Sequence, residues 1–175
     1  MAASALCGRV NSVLSASIGT GKFVTLFYAV LDAETRSMHY TNAGHLLPVL
    51  LRADGRTREL QNGGAVLGVF PDWKYEDSFL QFETGDRLLL FTDGITEAGP
   101  GGEEEFGEER LVASAREAID KPAGENQVAH PGGCQHFCDQ QLRDDATLIV
   151  ISAQWHDEDE IHRHHESLAV SALNG

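Results

Sequence analysis

RLLLFTDG (87–94) and DDATLIVIS (144–152) decide the fold. Each is a short apolar run, the pattern of a buried strand. The first ends in Asp93-Gly94, and the second is entered directly from Asp144-Asp145. If the two strands lie side by side and antiparallel, the end of one meets the start of the other. Asp93 and Asp144 then share one edge of the sheet. Two carboxylates that close repel and raise one pKa unless a cation shares them. Hard divalent cations such as Mg²⁺ or Mn²⁺ prefer oxygen ligands of this kind. Gly94 leaves the backbone beside Asp93 open to a metal and its waters. Taken singly, each aspartate is more simply a turn or N-cap residue. The pairing alone names no reaction.

Working outward, FVTLFYAVL (23–31) is β-branched, aromatic and almost wholly apolar, the pattern of a strand buried on both faces. A polar turn over 32–37 leads to a returning strand at 38–43, so 23–43 reads as a hairpin. Further strands are expected at 48–52, 57–60 and 75–82, with 61–72 a Gly-rich loop. The spacing predicts a helix over 2–18, with Leu6, Val10, Val13 and Leu14 on its apolar side, stopping at Gly19-Thr20-Gly21. A second helix is expected over 108–119, with Leu111, Ala115, Ala118 and Ile119 on one face. Residues 121–137 carry Pro122, Pro131, Gly132 and Gly133 and read as irregular. Many antiparallel strands with few helices make the chain α+β.

At 175 residues, 42% hydrophobic and 23% charged, the chain has one domain's length and an ordinary globular composition. No apolar run is long enough for a membrane span, and the N-terminus lacks the features of a signal peptide. A net charge of −14 argues against nucleic acid. It fits a protein partner, a site where cations offset carboxylates, or simple solubility. Three cysteines, Cys7, Cys134 and Cys138, do not make a disulfide framework, so the cytoplasm is the expected compartment. Cys134 and Cys138 with His130 and His136 lack the usual zinc spacing and read as loop. Residues 154–175, with His156, His162, His164 and His165 among acidic residues, read as a solvated acidic and His-rich tail. Gly21-Lys22 fails as a P-loop, because the spacing, the next residue and the element order are all wrong.

Five blocks in order carry a family resemblance: FVTLFYAVLD (23–32), YTNAGHLLPVLL (40–51), LLLFTDGITEA (88–98), FGEERL (106–111) and DDATLIVI (144–151). This series resembles the SpoIIE-like PPM-type serine/threonine phosphatases. The resemblance implies an α-β-β-α sandwich of two antiparallel sheets over residues 1–153, with two Mn²⁺ or Mg²⁺ ions at one end. It implies Asp93 and Asp144 as metal ligands, with Asp145 the alternative to Asp144 should the register slip by one. It implies hydrolysis of phosphoserine or phosphothreonine in a phosphorylated regulatory protein of the anti-sigma-factor-antagonist type. A fused or partner sensor domain is a further expected partner. His45, in the NAGH block, either touches substrate phosphate or is a turn histidine bonded to backbone. The family's first metal motif, an acidic residue followed by Gly, belongs before the helix at 2–18. Asp32, Asp86 and Asp139 do not match it, so the domain is expected to be incomplete at its N-terminus, with sheet edges unpaired. That absence supports a rival expectation: an inactive module that binds a phosphoprotein or sensor without hydrolysing it.

Overall fold

The computed structural model describes residues 2–98, 105–118, 146–154 and 167–174. In chain order the elements are α1 (Ala3–Ser17), β1 (Leu26–Asp32), β2 (Ser37–Ala43), β3 (Val49–Leu51), β4 (Thr57–Glu59), β5 (Gly63–Gly64), β6 (Ser78–Gln81), β7 (Arg87–Phe91), α2 (Asp93–Thr96), α3 (Gly107–Glu117), β8 (Thr147–Gln154) and β9 (Ser167–Asn174). They fall into two compact units, one of residues 1–47 and 60–82, the other of residues 48–59 and 83–175. Each unit holds one sheet and at least one helix, so the chain is α+β as expected.

In the first unit β2 is the central strand. It pairs antiparallel with β1 along Leu26↔Ala43 to Asp32↔Ser37, which is the expected hairpin. Its other edge is shared by β6, antiparallel, and by β5, which pairs in parallel at Asn42↔Gly63 and Ala43↔Gly64. The sheet is therefore mixed rather than purely antiparallel, and the loop expected over 61–72 contributes a strand. Gly63 makes this pairing possible, because a Cβ there would overlap the carbonyl of Asn42. β1 was expected to be buried on both faces, yet Val30 is 45% exposed and Phe23, just before the strand, 58%. β1 is an edge strand, paired only with β2 among the described residues, and an edge strand shields less of itself than a central one.

Helix α1 packs on β1 and β2 through a stripe that the hydrophobic pattern singled out only in part, at Val10 and Leu14. Ala3, Cys7 and Asn11 are its buried residues, with Val10 and Leu14 partly covered, while Val13 stands 67% exposed. Asn11 belongs inside because its amide is fully used. Nδ2 donates to the carbonyls of Phe70 (2.8 Å) and Pro71 (3.3 Å), and Oδ1 accepts from the amide of Gly68 (2.8 Å). The N-cap residue Ala2 has no side chain able to cap. Asp77, just before β6, takes over that role: it accepts from the backbone amide (2.8 Å) and hydroxyl (2.5 Å) of Ser4.

The second unit carries the sheet β4-β3-β7-β8-β9, antiparallel throughout. Val49, Leu51, Leu89, Phe91, Leu148 and Val150 on its strands meet Ile95 of α2 and Leu111 and Ala115 of α3 in one core. Helix α3 lies where its pattern predicts, with Leu111, Ala115 and Ala118 buried. Ile119 lies outside the described residues. β9, by contrast, was not expected: within the stretch read as a tail, Ser167–Asn174 pairs along its whole length with β8. Before β7 stands a buried ion pair. Asp86, 1% exposed, accepts from Arg52 Nη1 (2.5 Å) and from the amide of Glu83 (2.7 Å) through one carboxylate oxygen.

Candidate metal centre

The register of β7 and β8 brings the two deciding stretches together. Arg87 faces Ser152 and Phe91 faces Leu148, so the ladder runs antiparallel to the very end of β7. One step further, the amide of Thr92 donates to the carbonyl of Thr147 (3.0 Å), and the amide of Thr147 donates to Thr92 Oγ1 (2.9 Å). The end of one strand thus meets the start of the other, as the sequence reading required. Asp93 follows at once as the first residue of α2, a single turn that forms because the carbonyl of Thr92 accepts the amide of Ile95 (3.0 Å) and that of Asp93 the amide of Glu97 (2.7 Å).

Asp93 is exposed, whereas Gly94 and Ile95 behind it are buried. Its Oδ1 accepts the amide of Gly94 (2.9 Å), which fixes the carboxylate against its own turn. No hydrogen bond engages Oδ2 among the described residues. An anchored, solvent-facing carboxylate with one oxygen to spare suits a hard divalent cation, which takes oxygen ligands and keeps several waters. Asp144 and Asp145 lie outside the described residues; Ala146, which follows them, is buried in the core below the site. Among the described residues no group of three or more His, Cys, Asp or Glu side chains could hold a metal ion. Asp93 is therefore the one expected ligand whose surroundings are seen.

His45 belongs to the first unit. Asn42, 4% exposed, closes its turn from both sides, accepting the amide of His45 through Oδ1 (2.8 Å) and donating to its carbonyl through Nδ2 (3.0 Å). The His45 ring places Nδ1 against the carbonyl of Leu46 (2.9 Å). A carbonyl only accepts, so Nδ1 carries the proton and Nε2 is the nitrogen left for other partners. The backbone-bonded turn histidine is thus present, and contact with a phosphate would have to use Nε2. Sequence reasoning missed the hydroxyl of Thr92. Its signal, Thr before Asp-Gly at a strand end, is also that of an ordinary N-cap.

The arrangement of elements is that of PPM-type phosphatase domains, a fold that solved structures share. The phosphatase domain of SpoIIE from Bacillus subtilis (Mn presoaked) superposes with a TM-score of 0.59 at 20% identity, covering 92% of this chain and 70% of that one. The chain belongs to the Stage II sporulation protein E (SpoIIE) family, which it matches over residues 1–154. Among curated relatives, Protein IcfG of Synechocystis sp. is 30% identical over 74% of this chain and 20% of its own length. Phosphoserine phosphatase RsbU of Bacillus subtilis is 29% identical over 82% of this chain and 43% of its own. The chain spans less than half the length of these relatives. No helix among the described residues is long and apolar enough to cross a membrane.

Proposed function

We propose that this chain carries the metal site of a protein serine/threonine phosphatase that releases phosphate from a phosphorylated regulatory protein in the bacterial cytoplasm. The observation that carries this reading is the Thr92–Thr147 junction, which joins the residue before Asp93 to the first residue of β8. Asp93 holds a cation through its spare oxygen, and Asp144, or Asp145 in the alternative register, supplies the second carboxylate. Mn²⁺ or Mg²⁺, when bound as a pair, supplies a water of lowered pKa and neutralises charge on phosphoryl oxygens. The chain's own groups do the rest. The Gly94 amide holds the carboxylate in one orientation. Family membership and the likeness to phosphoserine phosphatase RsbU support a phosphorylated substrate, and its proposed class is the anti-sigma-factor-antagonist type.

Hydrolysis of p-nitrophenyl phosphate with added Mn²⁺, in wild type and Asp93→Ala, tests the reading. Activity in the wild type and its loss in the variant are expected. No hydrolysis by either, with a phosphorylated partner still bound, would instead establish the rival binding module.

A further inference from the structure

We infer that Thr92 is a positioning residue for the metal site, its hydroxyl standing in for a backbone carbonyl that helix α2 has withdrawn from the sheet. In an antiparallel ladder, residues that face one another as a hydrogen-bonded pair exchange two N–H···O=C bonds. Thr92 and Thr147 make the first, from the Thr92 amide to the Thr147 carbonyl (3.0 Å). The second is diverted: the carbonyl of Thr92 turns into α2 and accepts from Ile95 (3.0 Å). Left so, the amide of Thr147, the first residue of β8, would lose its acceptor in the ladder. Thr92 Oγ1 replaces it at 2.9 Å.

The same hydroxyl does not make the bond expected of an N-cap threonine, since Thr92 caps α2 without any side-chain hydrogen bond to the helix. It is committed across the sheet instead. The chain can thus leave β7 for the α2 turn at Asp93 while β8 stays in register up to Thr147. Since Asp93 follows Thr92 directly and Asp144 and Asp145 precede Thr147 by at most three positions, this bond fixes the junction from which both proposed carboxylates depart. This role rests on the phosphatase reading above.

The test compares Thr92→Val, which keeps the shape and loses the hydroxyl, with Thr92→Ser, which keeps the hydroxyl. Mn²⁺ affinity is measured by titration calorimetry without substrate, and exchange of the Thr147 amide by NMR. The valine variant is expected to bind Mn²⁺ about tenfold more weakly, as for the loss of an outer-shell partner, and to exchange the Thr147 amide faster. The serine variant should stay close to wild type in both. Thr92→Ala serves as a second hydroxyl-free variant should the valine fold poorly. Mn²⁺ binding by Thr92→Val or Thr92→Ala as tight as wild type overturns this inference alone, as does a serine variant as weak as the valine. A wild type that binds no Mn²⁺ overturns the phosphatase reading and this inference with it.

Discussion

Asn11 and Gly68, fifty-seven positions apart in the chain, are joined by a 2.8 Å hydrogen bond from the Gly68 amide to the Asn11 side-chain oxygen. The other end of the same amide holds the carbonyls of Phe70 and Pro71. A polar side chain with no exposed surface thus fastens the loop after β5 to α1. Gly68 has φ +92°, a conformation that resists a side chain, so the loop reaches Asn11 only because a glycine stands there.

Asn11→Leu should therefore destabilise the first unit although it adds apolar surface. The variant strands the Gly68 amide and the Phe70 carbonyl, and one buried group left without its partner costs about 1–3 kcal/mol. A lowered urea midpoint with an unchanged slope is expected. A midpoint at or above wild type would show that water satisfies those groups at no cost.

Gly63→Ala tests the parallel pairing of β5 with β2. A Cβ at this position would overlap the Asn42 carbonyl oxygen and lie 2.5 Å from the Asn42 amide nitrogen, and both are backbone atoms that cannot swing aside. β5 must detach, and the turn from Asn42 to His45 loses its neighbour. Destabilisation of about 2–4 kcal/mol is expected, within the range of severe steric and packing lesions. In thermal melts a substitution that leaves the midpoint unmoved would rule out the pairing.

What the sequence disclosed and what it hid have physical reasons. β7 and β8 were legible because each is an uninterrupted apolar run that needs no partner pattern to be recognised. Asp93 was legible because it ends such a run. The buried side of α1 was read only in part: Val10 and Leu14 do pack on the core, but Asn11 is inside for its hydrogen bonds, whereas the apolar Val13 is outside. SLAVSALN (167–174) is uncharged and strand-compatible, but the acidic and His-rich run before it set the reading of the whole segment. The hydroxyl of Thr92 was hidden most completely. Its partner lies 55 residues away, and only the register of the ladder connects them.

Asp77 sets an acid limit on the first unit. The Ser4 hydroxyl and amide bonded to its carboxylate hold it below the usual 3.8. A folded-state pKa below the unfolded one means that the unfolded chain takes up the proton first. The contribution of Asp77 is therefore present above about pH 4 and drains away as pH falls through the lower, folded value. Urea midpoints measured from pH 5 downward should fall less steeply for Asp77→Asn than for wild type. Parallel curves would mean that Asp77 does not cap α1.

The Arg52–Asp86 pair makes a prediction of opposite sign. Burial pushes the Asp86 carboxyl above its usual value even though the Glu83 amide and Arg52 both pull it down. Its Oδ1 has no partner among the described residues, so desolvation wins. With the folded pKa raised, the folded state takes up the proton first, and the cost of burying the charge shrinks as pH falls through that value toward the unfolded one. Arg52→Met removes a pulling charge and raises the cost further. It should destabilise by about 2 kcal/mol at pH 7, below the full cost of breaking a buried pair because the Arg52 side chain keeps 20% of its exposure. At pH 5 the deficit relative to wild type should be smaller. Adding Asp86→Asn should recover most of the loss at pH 7, since the stranded charge is then gone. Equal deficits at both pH values, or no recovery in the double variant, would show that Arg52 acts through packing rather than through the charge of Asp86.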